Sequence, residues 1–150
     1  MGTHLAKMLS YEYHDLVVID DDEQRRKQLA LNVDVPCIAG SPSSFEMLSQ
    51  AGVEKADLFI AVTPSEETNI ISASLAKRLG ARKVIARIDK NEYLLPSNKE
   101  VFVDMGIDYL YYPEKIAGRE VVDLLSQSFS TEFVDFANKK LKLIVFKLED

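Results

Sequence analysis

Short, nearly continuous apolar runs separated by helical patterns constrain this chain more than any other feature. Asp15-Leu-Val-Val-Ile-Asp20, Asp57-Leu-Phe-Ile-Ala-Val-Thr63 and Lys83-Val-Ile-Ala-Arg-Ile88 are dense in aliphatic side chains. Such runs suit strands covered on both faces, as in a parallel sheet, and not the in–out alternation of a half-solvated one. Val35-Pro-Cys-Ile-Ala-Gly40 is weaker, and Pro36, which has no amide to donate, assigns it to an edge or a strand start. Ile107-Asp-Tyr-Leu-Tyr-Tyr112 is the last and most aromatic of the set.

Helical segments fill the intervals. One opens directly after Gly2, and another runs from Glu23 to Leu31. Ser43-x-x-Glu46 has the spacing of a capping box, with Gly52 as the stop. Thr63-Pro64-Ser65-Glu66 reads as a threonine cap with proline at the first helical position, opening a helix that ends before Gly80. A last one runs from Lys115 to about Ser126. Strands alternating with helices predict an α/β fold, a Rossmann-like doubly wound parallel sheet. The helix from Pro64 to Leu79 carries Ile70, Ile71, Ala73, Leu75, Ala76 and Leu79, more than a one-sided stripe needs, so part of it is expected to be covered by another subunit. The pattern changes at the polar stretch Ser126–Thr131. Beyond it, Thr131–Phe136 and Leu141–Phe146 flank Asn138-Lys-Lys140 like the strands of a hairpin. The expected division is residues 1–126 as one domain and 127–150 as a linker and the start of a second.

The chain's 150 residues suffice for one such core, and a net charge of −6 argues against an unaided nucleic-acid groove. One cysteine and two histidines argue against a disulfide framework and a structural zinc. No run reaches the roughly 18 apolar residues of a membrane-spanning helix, and the first residues lack the pattern of a signal peptide.

Gly2 and Asp20 carry the most specific chemistry. In a dinucleotide-binding unit, the third glycine of G-x-G-x-x-G lets the following helix approach the sheet, and an acid about 20 residues on accepts the adenosine ribose hydroxyls. Gly2 and Asp20 fit these two places. Asp20 equally fits an acid that closes a strand and caps the next helix. With Asp21 and Asp22 beside it, a free ribose diol is expected to be favoured over a 2′-phosphorylated one in a chain with the complete glycine-rich loop.

The motifs Val17-Val-Ile-Asp-Asp-Asp22, Gly40-Ser-Pro-Ser-Ser44, Ala51 to Thr63, Glu66-Glu-Thr-Asn69, Ala86-Arg-Ile88 and Pro113-Glu114 stand in an order that resembles the regulator of potassium conductance family, in its TrkA-N branch, over residues 2–126. The resemblance implies a cytoplasmic regulatory domain, not an enzyme, binding NAD(H) or, as in some relatives, ATP or ADP. It also implies dimers that build a ring beneath a membrane potassium transporter, held at the inner face of the membrane through that partner. By position it implies Gly2 beside the pyrophosphate, Asp20 on the ribose, and Gly40 and Ser41 on the adenine side. Thr63 is implied in the loop after the next strand, Arg87 near the phosphates or a neighbouring subunit, and Glu114 as a ligand to a divalent cation. Where the family commonly has aspartate after the glycine, this chain has Ser41.

Plainer readings stay open for the same residues. Thr63 and Glu66 fit a helix cap, Arg87 a cation at a strand end, and Glu114 a carboxylate favoured by a helix dipole. An NAD-dependent oxidoreductase and an interaction module without a ligand are the competing functions. Tyr111-x-x-x-Lys115 has the spacing of a short-chain dehydrogenase pair, but Pro113 intervenes, and that chemistry needs both side chains on one helical face. In the 3-2-1-4-5-6 strand order of such sheets the first strand is central. The chain reads as beginning at the third glycine, after that strand, and as ending inside the second domain. The runs ending at Asp20 and Thr63 are then expected to face each other across an unfilled lane.

Overall fold

Aliphatic strands too short to stand alone need helices to cover them, and in the computed structural model α-helices pack on both parallel sheets; it describes residues 1–12, 14–127, 132–136 and 141–145. The chain divides into two compact units, Met1–Tyr112 and Pro113–Asp150. The division falls at Pro113, ahead of the change in composition near Ser126.

In the first unit, α1 (Gly2–Tyr11) precedes β1 (Val18–Asp20), α2 (Glu23–Asn32) and β2 (Cys37–Ala39). Then follow α3 (Phe45–Gln50), β3 (Leu58–Ala61), α4 (Glu66–Leu79), β4 (Lys83–Arg87), α5 (Pro96–Asp104) and β5 (Tyr109–Tyr111). β1 and β2 pair in parallel with Ile19 opposite Ile38. β3, β4 and β5 form a second parallel sheet in that order, with Ala61 opposite Ala86 and Ala86 opposite Leu110. Among the described residues no strand pairing joins β1 to β3, although Ile19 of β1 packs against the same core as Ala61 of β3. Among the described residues the parallel ladder is thus interrupted between β1–β2 and β3–β4–β5. Pro36 sits just ahead of β2, where its carbonyl accepts the Val18 amide at 2.9 Å and its missing N–H costs nothing.

The core lies between α4 and the larger sheet. Ala73 and Ala76 of α4, with Val84 and Ala86 of β4, are wholly buried, and these small side chains allow helix and strand to approach closely. Ile70, Leu75 and Leu79 also pack on this core, which leaves Ile71, 50% exposed, as the outward apolar residue of the helix. Most of the apolar surplus on α4 is thus accounted for within the chain. α5 has no counterpart in the apolar periodicity, since Phe102 is buried while Val101 and Val103 on either side are exposed.

In the second unit, α6 (Pro113–Gln127) precedes β6 (Glu132–Phe136) and β7 (Leu141–Val145). The two strands pair antiparallel, with Glu132 opposite Val145 and Phe136 opposite Leu141. The expected turn at 138–140 lies outside the described residues.

Gly80 ends α4 at φ +124°, donating its amide to the carbonyls of Ala76 and Lys77, both at 3.2 Å. A Cβ here would lie 3.1 Å from the Glu54 carbonyl oxygen and 3.3 Å from its Cα, backbone atoms that cannot swing aside. Conformation and space both demand glycine. Gly80→Ala is expected to cost about 1–3 kcal/mol in urea unfolding; a variant as stable as the parent would show that the turn relaxes freely.

Candidate functional site

Parallel strands deliver their carboxyl ends to one rim, where loops gather polar groups. At the smaller sheet, β1 ends on Asp20, whose carbonyl accepts the Gly40 amide at 3.3 Å and Nη1 of Arg26 at 2.9 Å. The Asp20 carboxylate turns back on its own loop. Oδ1 accepts the Asp22 amide at 2.9 Å, and Arg25 Nε lies 3.1 Å from both carboxylate oxygens. Arg25 also pairs with Asp21 at 3.2 Å and Asp22 at 3.8 Å. Asp22 caps α2 by accepting the amides of Gln24 and Arg25 at 2.8 and 3.0 Å. The Arg25 amide first, then that of Gln24 and the nearby guanidiniums, outweigh its desolvation and hold its carboxyl below the ordinary carboxylate value. Capping therefore falls to Asp22, which leaves Asp20 at the strand end.

Gly40 has an ordinary backbone. Its constraint is volume, because a Cβ there would lie 2.5 Å from Met47 Sδ. The Ser41 hydroxyl sits 2.9 Å from that of Ser43 and accepts the Ser43 amide at 3.3 Å.

At the larger sheet, Gly2 opens α1 beside the carboxyl end of β3, where a Cβ would meet Val62 Cγ2 at 3.5 Å. That is an ordinary contact, so packing on the described residues does not demand glycine at this place. Thr63 is fixed by Asn69, a wholly buried side chain of α4. The Asn69 amide oxygen accepts the Thr63 N–H at 2.7 Å, and its nitrogen donates to the carbonyls of Thr63 at 3.0 Å and Arg87 at 3.1 Å. Arg87 reinforces the link by donating Nη1 to the Thr63 carbonyl at 3.2 Å, and it pairs with Asp89.

The residue that caps α4 is Ser65, which accepts the Thr68 amide at 3.1 Å. The Thr63 hydroxyl instead closes its own loop through the carbonyl and amide of Ser65. Glu66 plays no part in a capping box. It is 4% exposed and reaches across to the segment after β4, accepting the amides of Asp89 at 2.8 Å and Lys90 at 3.2 Å and pairing with the Lys90 ammonium. Burial alone would raise its carboxyl, but the Lys90 ammonium and the Asp89 and Lys90 amides outweigh it and hold the value low. Lys90 is pushed above the ordinary lysine value by Glu66 and the Tyr93 hydroxyl, and its ammonium lies 5.4 Å from the Tyr93 ring centre.

The structure thus gathers Asp20, Gly40 and Ser41 at one sheet, and Gly2, Thr63 and Arg87 at the other. Glu114 is an exposed residue in the first turn of α6, in the second unit. Among the described residues no three His, Cys, Asp or Glu side chains lie close enough together to hold a metal ion. Tyr111 ends β5 and Lys115 stands in α6, so the dehydrogenase-like spacing does not fall on one helix. Local patterns did not single out Arg25, and they gave Glu66 and Asn69 only as a helix cap and part of a motif, without the contacts they make. Glu66 and Asn69 lie inside a recognisable block, but their partners at 87–90 are a strand away.

Comparison with known proteins bears on the same residues. Residues 1–113 match the TrkA-N domain family. The chain is 35% identical over 145 residues to a Trk system potassium uptake protein TrkA homolog of Archaeoglobus fulgidus, covering 96% of this chain and 32% of that protein. It therefore spans about a third of that relative's length. Among solved structures it is similar to the TrkA-N domain of inner membrane protein ybaL from Escherichia coli, with TM-score 0.71, 21% identity, and coverage of 83% of this chain and 89% of that one. GsuK structures share the fold. One bound to ADP gives TM-score 0.66, 21% identity, and coverage of 84% of this chain and 32% of that one. The GsuK channel bound to NAD gives 0.65 and 20%, with coverage of 89% and 23%.

Replacing Glu66 by glutamine removes the charge that faces Lys90 and is expected to cost about 1–3 kcal/mol. A lowered folded value means that the stabilisation is complete above the ordinary value of 4.5 and fades as pH falls through the lower folded one. The stability gap between parent and Glu66→Gln should therefore be flat at neutral pH and close on acidification below that range. Urea unfolding at stepped pH measures it, and a gap that widens towards acid would contradict the assignment.

Proposed function

The chain belongs to the TrkA-N domain family, and on that premise we propose that it is a nucleotide-sensing regulatory domain of a potassium-uptake system. Its ligand is NAD(H), with ATP or ADP as the related choice. The observation that carries this reading is the Asp20 carboxylate at the end of β1, hydrogen-bonded to the Asp22 amide of the loop that follows, on a residue whose carbonyl accepts the amide of Gly40 just past the end of β2. A carboxylate in that place accepts ribose hydroxyls.

The remaining roles follow from position. Gly2 starts a ten-residue helix, and a helix N-terminus offers unpaired amides and a positive dipole end to a pyrophosphate. Gly40 and Ser41 flank the adenine side. Thr63 presents its loop to the ligand, held by Asn69 and Arg87. GsuK structures with NAD and with ADP support a nucleotide of this class for the fold, and the Trk system name of the Archaeoglobus fulgidus relative supports a potassium transporter as partner. A Glu114 cation site lacks a donor set of three carboxylate, imidazole or thiolate groups among the described residues, so no metal step is assigned to it.

Sensing requires a ligand that binds two arrangements with different affinity. In this reading the domain assembles as a dimer within a ring, and nucleotide binding shifts the arrangement that the membrane partner reads. The role is regulatory, and the chain's residues bind and orient without transferring a group.

Calorimetric titration of the protein with NAD+, NADH, ATP and ADP tests the proposal. Saturable binding of at least one is expected, weakened about tenfold or more by Asp20→Ala because a hydrogen bond to a charged group is lost. Absence of heat with all four, or an Asp20→Ala variant of unchanged affinity that melts like the parent, would overturn it.

A further inference from the structure

The carboxylate assigned to the ribose is already partly engaged, and the group that engages it is a cation. Arg25 stands in the first turn of α2, and its guanidinium lies along Asp20. Nε is 3.1 Å from each carboxylate oxygen, and Nη2 is 3.1 Å from Oδ1. Oδ1 also takes the Asp22 amide at 2.9 Å. Two carboxylate oxygens offer about four lone-pair sites. Those of Oδ1 are filled, and Oδ2 keeps room for one further donor. A ribose diol brings two hydroxyls. With Arg25 in place Asp20 receives one of them directly, and the second can only accept a hydrogen bond from the guanidinium, a weaker exchange than donating to the carboxylate.

The same guanidinium suits a different substituent. Arg25 is 42% exposed at the side chain and spans Asp20, Asp21 and Asp22. Arg26, on the next position of the helix, donates to the Asp20 carbonyl at 2.9 Å. The rim is thus three carboxylates set against two guanidiniums, not the bare acidic cluster that the run Asp20-Asp-Asp22 suggests. An arginine beside the ribose acid offers a planar fork to a 2′-phosphate.

Resting on the nucleotide reading above, we infer that Arg25 is the specificity-determining residue of the ribose subsite: it narrows the discrimination between a dinucleotide with a free 2′-hydroxyl and one with a 2′-phosphate. Asp20 keeps the free diol ahead. Arg25 limits the margin by taking up half of the carboxylate and by supplying charge to the phosphate.

The test is the ratio of dissociation constants for NADPH and NADH, measured by calorimetry on the parent, Arg25→Ala, Arg25→Gln and Arg25→Lys. The parent is expected to prefer NADH modestly. Removing the charge in Arg25→Ala and Arg25→Gln should tighten or hold NADH and weaken NADPH, widening the ratio about tenfold or more. Arg25→Lys, which keeps a point charge without the fork, should fall between the parent ratio and that of Arg25→Gln. Thermal melts identify any variant that has lost its fold, and the glutamine and lysine forms carry the comparison if alanine does so. Variants that lose affinity for both dinucleotides equally would make Arg25 a mere prop for Asp20 and overturn the inference, as would a ratio that narrows. A parent that binds neither dinucleotide nor an adenine nucleotide would overturn the sensing function itself, whereas tight binding with an unmoved ratio removes only the role of Arg25.

Discussion

The buried amide of Asn69 is the interaction on which the larger sheet's rim depends. A primary amide out of water must satisfy both its oxygen and its nitrogen, or the burial costs more than the packing returns. Here the oxygen takes the Thr63 N–H, and the nitrogen reaches the carbonyls of Thr63 and Arg87. One side chain from a helix thereby fixes the exits of two neighbouring strands. Glu66, one turn earlier on the same helix, does the equivalent for the amides of Asp89 and Lys90. α4 is less a cover for the sheet than a template for the loops that leave it.

The opposite end of the sheet is finished in another way. Asp108 accepts the Val84 amide at 2.7 Å and pairs with Lys77 at 2.9 Å, and Lys77 also caps the Arg82 carbonyl at 2.8 Å. Lys77 is the main reason that the Asp108 carboxyl stays below its ordinary value. This closure joins α4, the start of β4 and the approach to β5 through charges that serve one another. At the carboxyl rim the ion pairs of Arg25 with Asp20, Lys90 with Glu66 and Arg87 with Asp89 are joined by backbone hydrogen bonds and the buried Asn69 amide.

Much of the fold was legible because burial on both faces leaves a plain mark on composition. The runs that became β1, β3 and β4 keep their polar residues at or near their ends, and α4 ends at a glycine that geometry requires. The division into parallel strands, helices and a terminal hairpin follows from those marks. α5 left none, since Val101 and Val103 are exposed while Phe102 alone turns inward. The cap of α4 went to Ser65 and not to Thr63, a shift of two residues that local spacing cannot resolve when both hydroxyls stand next to a proline. Around the candidate site the limit is different in kind. Asp20 was visible as an acid at a strand end, but the guanidinium lying on it was not, because a run of three acids draws the eye from the arginine three residues beyond. Asn69 and Glu66 act on atoms some twenty positions away, which no window on the sequence contains.

Gly40 differs from the glycine at position 80 in what excludes a side chain. At Gly80 the obstacle is backbone, and no neighbour can yield. At Gly40 it is the thioether of Met47, the flexible part of a side chain rooted on α3. The space is thus shared property, divided between two positions whose summed volume is fixed while each separately is not. A bulkier residue at 40 becomes compatible once 47 is shortened, and a long residue at 47 holds 40 to glycine. Substitutions at the two sites should therefore be correlated, each conditional on the other, and a survey of either position alone would mistake a joint limit for two independent ones.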